Sequence, residues 1–510
     1  MLLPIVWLSG LTVVEMLCAY DNRHSNRSHF HTFVSSGWEI AGTAVMSNAG
    51  VAPTLSSNAQ NLSSEDHVRR TIERRAIEAV IWGTPAVNFD VMYQAMVRDA
   101  KAGEGSNKIV YWSRLFDWKN QTLTPNPDSI YFMPFFNTKE AGPVVLEVPP
   151  ADEGSITGSV DDCWQTAIED VGPAGADKGK GGKYLILSPD CKEKVPSDYI
   201  ALQSYTYQGY ALLRSIVKSS SEADIAKAVT YGKRIKIYPL SQAAHPPATQ
   251  FVDAIDVVYD ANIPWDLRYF QSLDRIIQIE PWQTRDKAMI DQLKSIGIEK
   301  GKQFHPDSKM QDVLKDAVRE AHAWLGDKYE NSYFPPPYYE GGHWYVPVSH
   351  DVIEGLQTFF ANPDKYPVDG RGVAYTVGFF SAKHFGAGQF YLMTFKDKDG
   401  RDFEGGGTYR LNIPANAPAT QYWSATAYDR DTHALIRNMK RASCSSQSSG
   451  LQKNADGSVD VYFGPKAPAG KESNRVPTSA DGKFEVLFRL YGPEKPLFDK
   501  TWRLPDIEKI

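Results

Sequence analysis

Ile130-Tyr131-Phe132-Met133-Pro134-Phe135 is the stretch on which the reading of the fold turns. In an extended chain Tyr131, Met133 and Phe135 face one way while Phe132 and Phe136 face the other. Both faces are apolar, so the strand is expected to be covered on each side, by a second sheet and by a helix. The pattern returns as Phe390-Tyr391-Leu392-Met393-Thr394-Phe395. Three more matches keep the same order. Leu146-Glu147-Val148-Pro149 aligns with Leu411-Asn412-Ile413-Pro414. Trp164 to Asp170 aligns with Trp423 to Asp429, and Tyr184-Leu185-Ile186-Leu187-Ser188-Pro189 aligns more loosely with Asp460-Val461-Tyr462-Phe463-Gly464-Pro465. Ordered matches of this kind predict a tandem duplication of a unit of short strands, each copy a sandwich or barrel with its own core.

Outward from these repeats the grammar alternates. Ser63-Ser64-Glu65-Asp66 reads as a helix start, and Val68, Ile72, Ala76, Ala79 and Val80 recur at helical spacing. Gly83-Thr84-Pro85 predicts a break into two helices. Residues 109–214 read as antiparallel β, residues 219–325 as helices, and residues from about Gly372 onward as β again. The expected fold class is a β-dominated α+β, with a leader over 1–63, a helical lead plus first sandwich over 64–218, a helical insert over 219–345, and a second sandwich over 346–510.

Composition narrows the function. The chain has 510 residues, 42% hydrophobic and 23% charged, with net charge -6, so global disorder and a polytopic membrane protein are excluded. A mildly acidic chain lacks the basic face that nucleic acid requires. Met1 to Tyr20 is apolar but carries Glu15 and no preceding cation, which matches neither a signal peptide nor a membrane span. The four cysteines are too sparse for a disulfide scaffold, although Cys163 and Cys191 can pair if strands bring them together.

Thr124-Pro125-Asn126-Pro127-Asp128-Ser129-Ile130-Tyr131, Gln421-Tyr422-Trp423-Ser424-Ala425-Thr426-Ala427-Tyr428-Asp429, Leu490-Tyr491-Gly492-Pro493 and Thr501-Trp502 carry a family resemblance. From about Ser64 to Ile510 the chain resembles the bacterial two-domain family DUF1254 followed by DUF1214, domains of unknown function. The resemblance implies two jelly-roll-like β-sandwiches with a helical insert, an arrangement similar to large-virus capsid proteins and glycan amidases. It also implies a periplasmic or secreted location. It carries no settled activity, so it leaves enzyme status and cofactor unknown.

Candidate site residues come from the loops and the aromatic segments. Asp128, at the Asn126-Pro127-Asp128 turn, stands three residues before Tyr131. His343-Trp344 and His350 follow the aromatic run Tyr333-Phe334 and Tyr338-Tyr339, and this loop can line a pocket with Arg371 and Tyr375, nearby in sequence. These supply a catalytic set of Asp128, Tyr131, His343 and Arg371. Trp164 and Asp170, in an acidic stretch with Asp161, Asp162 and Glu169, can form a sugar platform with an acid–base pair. Together with Tyr375 and Trp344 they make the binding set. No metal site is read, since no HxxxH, HExxH or Cys/His pattern occurs. The leading expectation is a ligand-binding protein, with a small molecule or glycan as ligand. A hydrolase or lyase on a small or glycan-like substrate is the first alternative, and an oligomeric assembly protein the second. The expected partners are that ligand and further copies of the chain, without nucleic acid or a membrane span.

Overall fold

A computed structural model describes residues 62–510 apart from Glu104 and Glu193. The expected leader, the apolar stretch Met1 to Tyr20 and Cys18 lie outside the described residues. Ser63 starts helix α1 (Ser64–Gln94) as expected: its hydroxyl accepts from the Asp66 N–H at 3.1 Å, and the Asp66 carboxylate accepts from the Ser63 N–H at 3.2 Å. The break at Gly83-Thr84-Pro85 does not occur, and Pro85 sits inside one continuous helix. Every residue from Ala79 to Asp90 is buried. A proline in mid-helix costs about 3 kcal/mol, which burial of this whole segment outweighs. Helices Leu267–Ile279, Ser308–Asn331 and Val368–Val377 pack around α1. The last of these replaces a segment expected to be β. Gly372 explains its position: a Cβ there would meet the Ile81 carbonyl of α1 at 2.9 Å, so only glycine allows this approach.

The first β half contains β1 (Lys108–Tyr111), β2 (Asn120–Gln121), β3 (Ile130–Asn137), β4 (Val144–Val148), β5 (Ile156–Asp162) and β6 (Ala167–Val171). It continues through β7 (Gly182–Leu187), β8 (Ile200–Gln203), β9 (Gln208–Ser215), β10 (Lys236–Pro239), β11 (Gln250–Asp253) and β12 (Tyr259–Asp260). A sheet of order β11-β1-β3-β9-β5-β6 packs on one of order β10-β4-β7-β8, with Phe132, Leu146, Val160, Ile186 and Leu213 in the core between them. Strands β10 and β11 come from the segment expected to be purely helical. They add edges to the two sheets.

The second half contains β13 (Gln389–Thr394), β14 (Tyr409–Ile413), β15 (Ala419–Asp429), β16 (Ser443–Ser445), β17 (Val459–Phe463), β18 (Arg475–Val476), β19 (Phe484–Pro493) and β20 (Glu508–Lys509). Here β13-β19-β15-β16 packs on β18-β17-β14-β20, around Leu392, Leu411, Val461 and Phe488. The chain is thus β-rich with helices, in two sandwich-like units whose sheets stay open.

The two units share a strand order. β3-β9-β5-β6 corresponds to β13-β19-β15-β16, and β4-β7-β8 to β14-β17-β18, each with a parallel last pair. Of the four sequence matches, the first two occupy equivalent strands. The fourth is one residue out, because Leu146 faces Tyr184 whereas Leu411 faces Val461. The third is displaced. Trp423 lies within β15, whose counterpart is β5, while Trp164 lies in the turn after β5. Similar spacing of Trp and Asp had paired segments with different places in the sheet.

The outer faces of the sheets β11-β1-β3-β9-β5-β6 and β13-β19-β15-β16 meet the helices in one continuous core that includes Val80, Met92, Tyr131, Met133, Tyr391 and Tyr491. Two buried carboxylates anchor the helices to the strands. Glu485 of β19 accepts from Tyr329 Oη at 2.7 Å, His433 Nδ1 at 2.9 Å and Arg430 at 3.0 Å. Glu280, just after helix Leu267–Ile279, accepts from the N–H groups of Tyr207 at 2.6 Å and Gln208 at 3.0 Å. Burial pushes the Glu280 carboxyl up to about 7 against 4.5 for a free side chain, opposed by those two N–H donors. The folded state therefore holds the Glu280 proton more tightly than the unfolded chain does. Its contribution is complete below pH 4.5 and is lost as pH rises through 7. Stability of the wild type should fall between pH 5 and 8 by up to about 3 kcal/mol from this group. Urea melts of Glu280→Gln across that range should show the slope reduced; an unchanged slope would contradict the assignment.

Candidate functional site

The turn Thr124-Pro125-Asn126-Pro127-Asp128 lies between the two units, and Asn126 is its hub. Asn126 Oδ1 accepts from the Asp128 N–H at 3.0 Å, closing the turn. Its Nδ2 donates to Tyr422 Oη at 2.7 Å and to Tyr491 Oη at 2.9 Å, and the Tyr491 and Tyr391 hydroxyls are 3.1 Å apart. The Tyr422 and Tyr491 rings stack with centroids 4.5 Å apart. Burial holds both phenols well above their ordinary range, so they remain protonated donors at neutral pH.

Each unit contributes one arginine to this place. On β9, Arg214 stands opposite Tyr131 of β3; on β19, Arg489 stands opposite Tyr391 of β13. The Arg214 guanidinium lies 5.1 Å from the Tyr131 ring centroid, and that of Arg489 lies 5.3 Å from the Tyr391 centroid. Arg214 Nε donates to Tyr131 Oη at 3.2 Å, and the Asn126 N–H donates to the same oxygen at 3.0 Å. Arg489 is held by Thr426 Oγ1 at 3.0 Å, the Thr124 carbonyl at 2.9 Å and Tyr428 Oη at 2.5 Å. Both arginines are buried. Neither forms an ion pair with a carboxylate among the described residues, and Arg489 Nε has no partner.

The contrast with Arg430 defines the electrostatics. That guanidinium is also buried, but it reaches Glu485 and Glu330, both at 3.0 Å. An uncompensated buried ion costs several kcal/mol. Stacking on tyrosine returns about 2 kcal/mol or so for a desolvated pair. Asp128 and Asp161 act electrostatically on Arg489 and Arg214 respectively, neither within ion-pair distance. Burial pushes the Asp128 carboxyl up, opposed by the Ser443 hydroxyl at 2.9 Å and by Arg489 and Arg441, and its Oδ2 has no partner.

Arg214, Arg489, Tyr131, Tyr391 and Asn126 line a cavity with Met92, Met133 and Met393. Its free volume is about 30 Å³. That is room for about one water in the present packing. A smaller depression, lined by Thr157, Ser159, Asp170 and His384, shares Phe380 and Tyr391 with the cavity. The arrangement can bind a negative group. Asp128 Oδ2 and both carboxylate oxygens of Asp161 have no hydrogen-bond partner among the described residues, and Asp161 acts electrostatically on Arg214.

The residues singled out in the sequence occupy four places. Asp128 and Tyr131 are at the cavity. Arg371, Trp164 and Tyr375 meet at the turn after β5: Arg371 Nη2 donates to the Trp164 carbonyl, and Tyr375 Oη to the Gln165 carbonyl at 2.6 Å. Asp170 accepts from the N–H groups of Lys383 at 2.9 Å and His384 at 2.7 Å, and its Oδ2 is 3.1 Å from His384 Nδ1. His343 Nδ1 is 2.9 Å from Asp506 Oδ2, and Trp344 Nε1 donates to the Pro505 carbonyl at 2.9 Å, both at the C-terminal segment. The set of Asp128, Tyr131, His343 and Arg371 is therefore not assembled into one site. Trp164 is buried and packs on Trp82 at 4.6 Å, so its face is not open to a sugar. Cys163, Cys191 and Cys444 are unpaired.

Sequence reasoning missed Asn126 as hub, Tyr422 and Tyr491 as its partners, and Arg214, Arg489 and Tyr391 as lining. One signal was present. The repeat aligns Tyr131 with Tyr391, which points to a second wall equivalent to the first. Three of the four segments that carry the family resemblance, Thr124–Tyr131, Gln421–Asp429 and Leu490–Pro493, meet at Asn126 and Arg489 beside this cavity.

Two family models match in tandem. Residues 106–239 match the protein of unknown function DUF1254, and residues 388–495 the protein of unknown function DUF1214. The chain belongs to the tandem DUF1254–DUF1214 family. No curated protein matches it. Among solved structures, the VPA0106 protein from Vibrio parahaemolyticus is similar with a TM-score of 0.54 and 16% identity, over 86% of this chain and 100% of that one. An uncharacterized protein from Burkholderia cenocepacia is 10% identical with a TM-score of 0.39, over 87% of this chain and 95% of its own. The first likeness shows a shared fold. Among the described residues of this family member, no helix is long and apolar enough to cross a membrane.

If the two uncompensated arginines are there for a ligand, removing one charge without changing its volume much should stabilise the empty protein. Arg214→Met should raise the free energy of unfolding by about 1 kcal/mol or more, whereas Arg430→Met should lower it by about 3 kcal/mol by stranding Glu485. Denaturant melts of the two variants check this. A loss of stability in Arg214→Met would mark Arg214 as structural.

Proposed function

We propose that this protein binds a small anionic molecule in the cavity between its two β units. One observation carries the reading: a buried guanidinium from each unit lines the same cavity with no carboxylate paired to it. The Tyr131 and Tyr391 hydroxyls line the cavity beside the pair, and such hydroxyls can donate to a carboxylate or another oxyanion. Charge-assisted hydrogen bonds to an anion would offset what the buried cations cost. The small free space and the absence of an open aromatic platform favour a compact anion over a glycan chain. The scatter of His343 and Arg371 away from Asp128 favours binding over hydrolysis. We also read the two units as jelly-roll-like copies of one ancestral unit, because they share strand order and register.

Thermal unfolding in a buffer of large organic ions, with acetate, sulfate, phosphate or neutral sugars added singly, tests the reading. A ligand at 100 times its dissociation constant should stabilise by about 2.7 kcal/mol, seen as a rise in melting temperature. At least one anion should give such a rise and neutral sugars none, with the rise abolished in Arg214→Met. A shift that survives in Arg214→Met, or one given by neutral sugars alone, would contradict the proposal.

A further inference from the structure

We infer that a cavity at the end of helix α1 is a binding site for a small aromatic molecule carrying one polar group. This cavity has about 200 Å³ free and shares no lining residue with the one between the two β units. An apolar cavity of about 150 Å³ holds a benzene ring, so this one has room for a single ring with a short substituent.

The local sequence explains why the space is there. Helix α1 gives way to a π-helical turn, Ala95–Asp99, where the Ala100 N–H reaches back five residues to the Ala95 carbonyl at 3.0 Å. Turns of this kind are rare and are frequently found at functional sites. Met96 and Val97 of the turn line the cavity. The loop that follows borders it with Gly103 at φ +63° and Gly105 at φ +145°, which bring no side chain to fill it.

The lining is graded from apolar to polar. Met96, Val110 and Phe136 are buried, Asn137 is half-buried and Glu140 is exposed. Tyr93 and Phe135, both half-buried, line the cavity and meet edge-to-face with centroids 5.4 Å apart. Each also packs on Phe89, at 6.1 and 6.2 Å. A guest ring extends this cluster, and an aromatic pair is worth more than the area it buries. Asn137 Oδ1 accepts the Lys139 N–H at 3.1 Å, which leaves the amide Nδ2 to donate to a guest hydroxyl.

NMR of the full chain labelled at its methionine methyl groups tests the inference, with the Met96 resonance assigned by its loss in Met96→Leu. Benzyl alcohol and phenol should each move that resonance saturably. Both should leave Met133 and Met393, which line the other cavity, in place. Val97→Phe puts a ring of its own into the space and should abolish the shift, with folding confirmed by circular dichroism. Ala141→Leu, at another lining position, takes its place if that variant does not fold. A Met96 resonance that neither aromatic moves, a shift that survives the filling substitution, or a response to 1-heptanol alone would overturn the inference.

Discussion

Strands β3 and β13 have almost no face left for solvent, and the rest of the molecule follows from that constraint. One face of each builds its own sandwich core, and the other face meets α1, the surrounding helices and the opposite unit. A strand buried on both sides cannot leave polar groups to water, so each one on the second face needs a protein partner or a ligand. Most have a protein partner. Asn126, Glu280 and Glu485 spend their capacity on N–H groups, hydroxyls and cations from other elements. Arg214 and Arg489 are buried without an ion pair and line one cavity, and Asp161 and Arg371 are buried without an ion pair as well.

This makes the interface between the two units more than a packing surface. Its apolar part holds the units together, and its polar part is under-satisfied at one cavity. Stability and binding are then opposed there, because the feature that weakens the empty protein is the one that a negative ligand would relieve. Such opposition is a physical signature of a site, in contrast to the balanced Arg430–Glu485–His433 cluster, which needs nothing further.

Much of the architecture was legible in the sequence. The doubly apolar alternation at Tyr131–Phe136 told that both faces of β3 are covered, and the Ser63 capping box told where α1 begins. The illegible parts share a cause. Pro85 read locally as a breaker and Gly372 as the start of a β region, yet both serve helices whose burial overrides local preference, and Gly372 does so by letting a helix approach the Ile81 carbonyl. The Trp164 match failed because equal spacing says nothing of sheet register. For the site, Asp128 and Tyr131 were found because they flank a distinctive turn. Arg214 and Arg489 were missed because a single arginine in an apolar strand carries no mark of its partner. Only the pairing of β9 with β3 and of β19 with β13 brings each beside its tyrosine. His343 and Arg371 looked close to the aromatic run in sequence, but His343 pairs with Asp506 and Arg371 with the Trp164 carbonyl.

The most direct test of the central claim is to see an anion in the cavity. Anomalous diffraction from crystals of the whole protein soaked in selenate, an oxyanion of suitable size, locates it without refinement bias. The account predicts a strong selenium peak beside the Arg214 or Arg489 guanidinium, lost in crystals of Arg214→Met. Selenium peaks confined to the outer surface, with the cavity closed around both arginines, would contradict it.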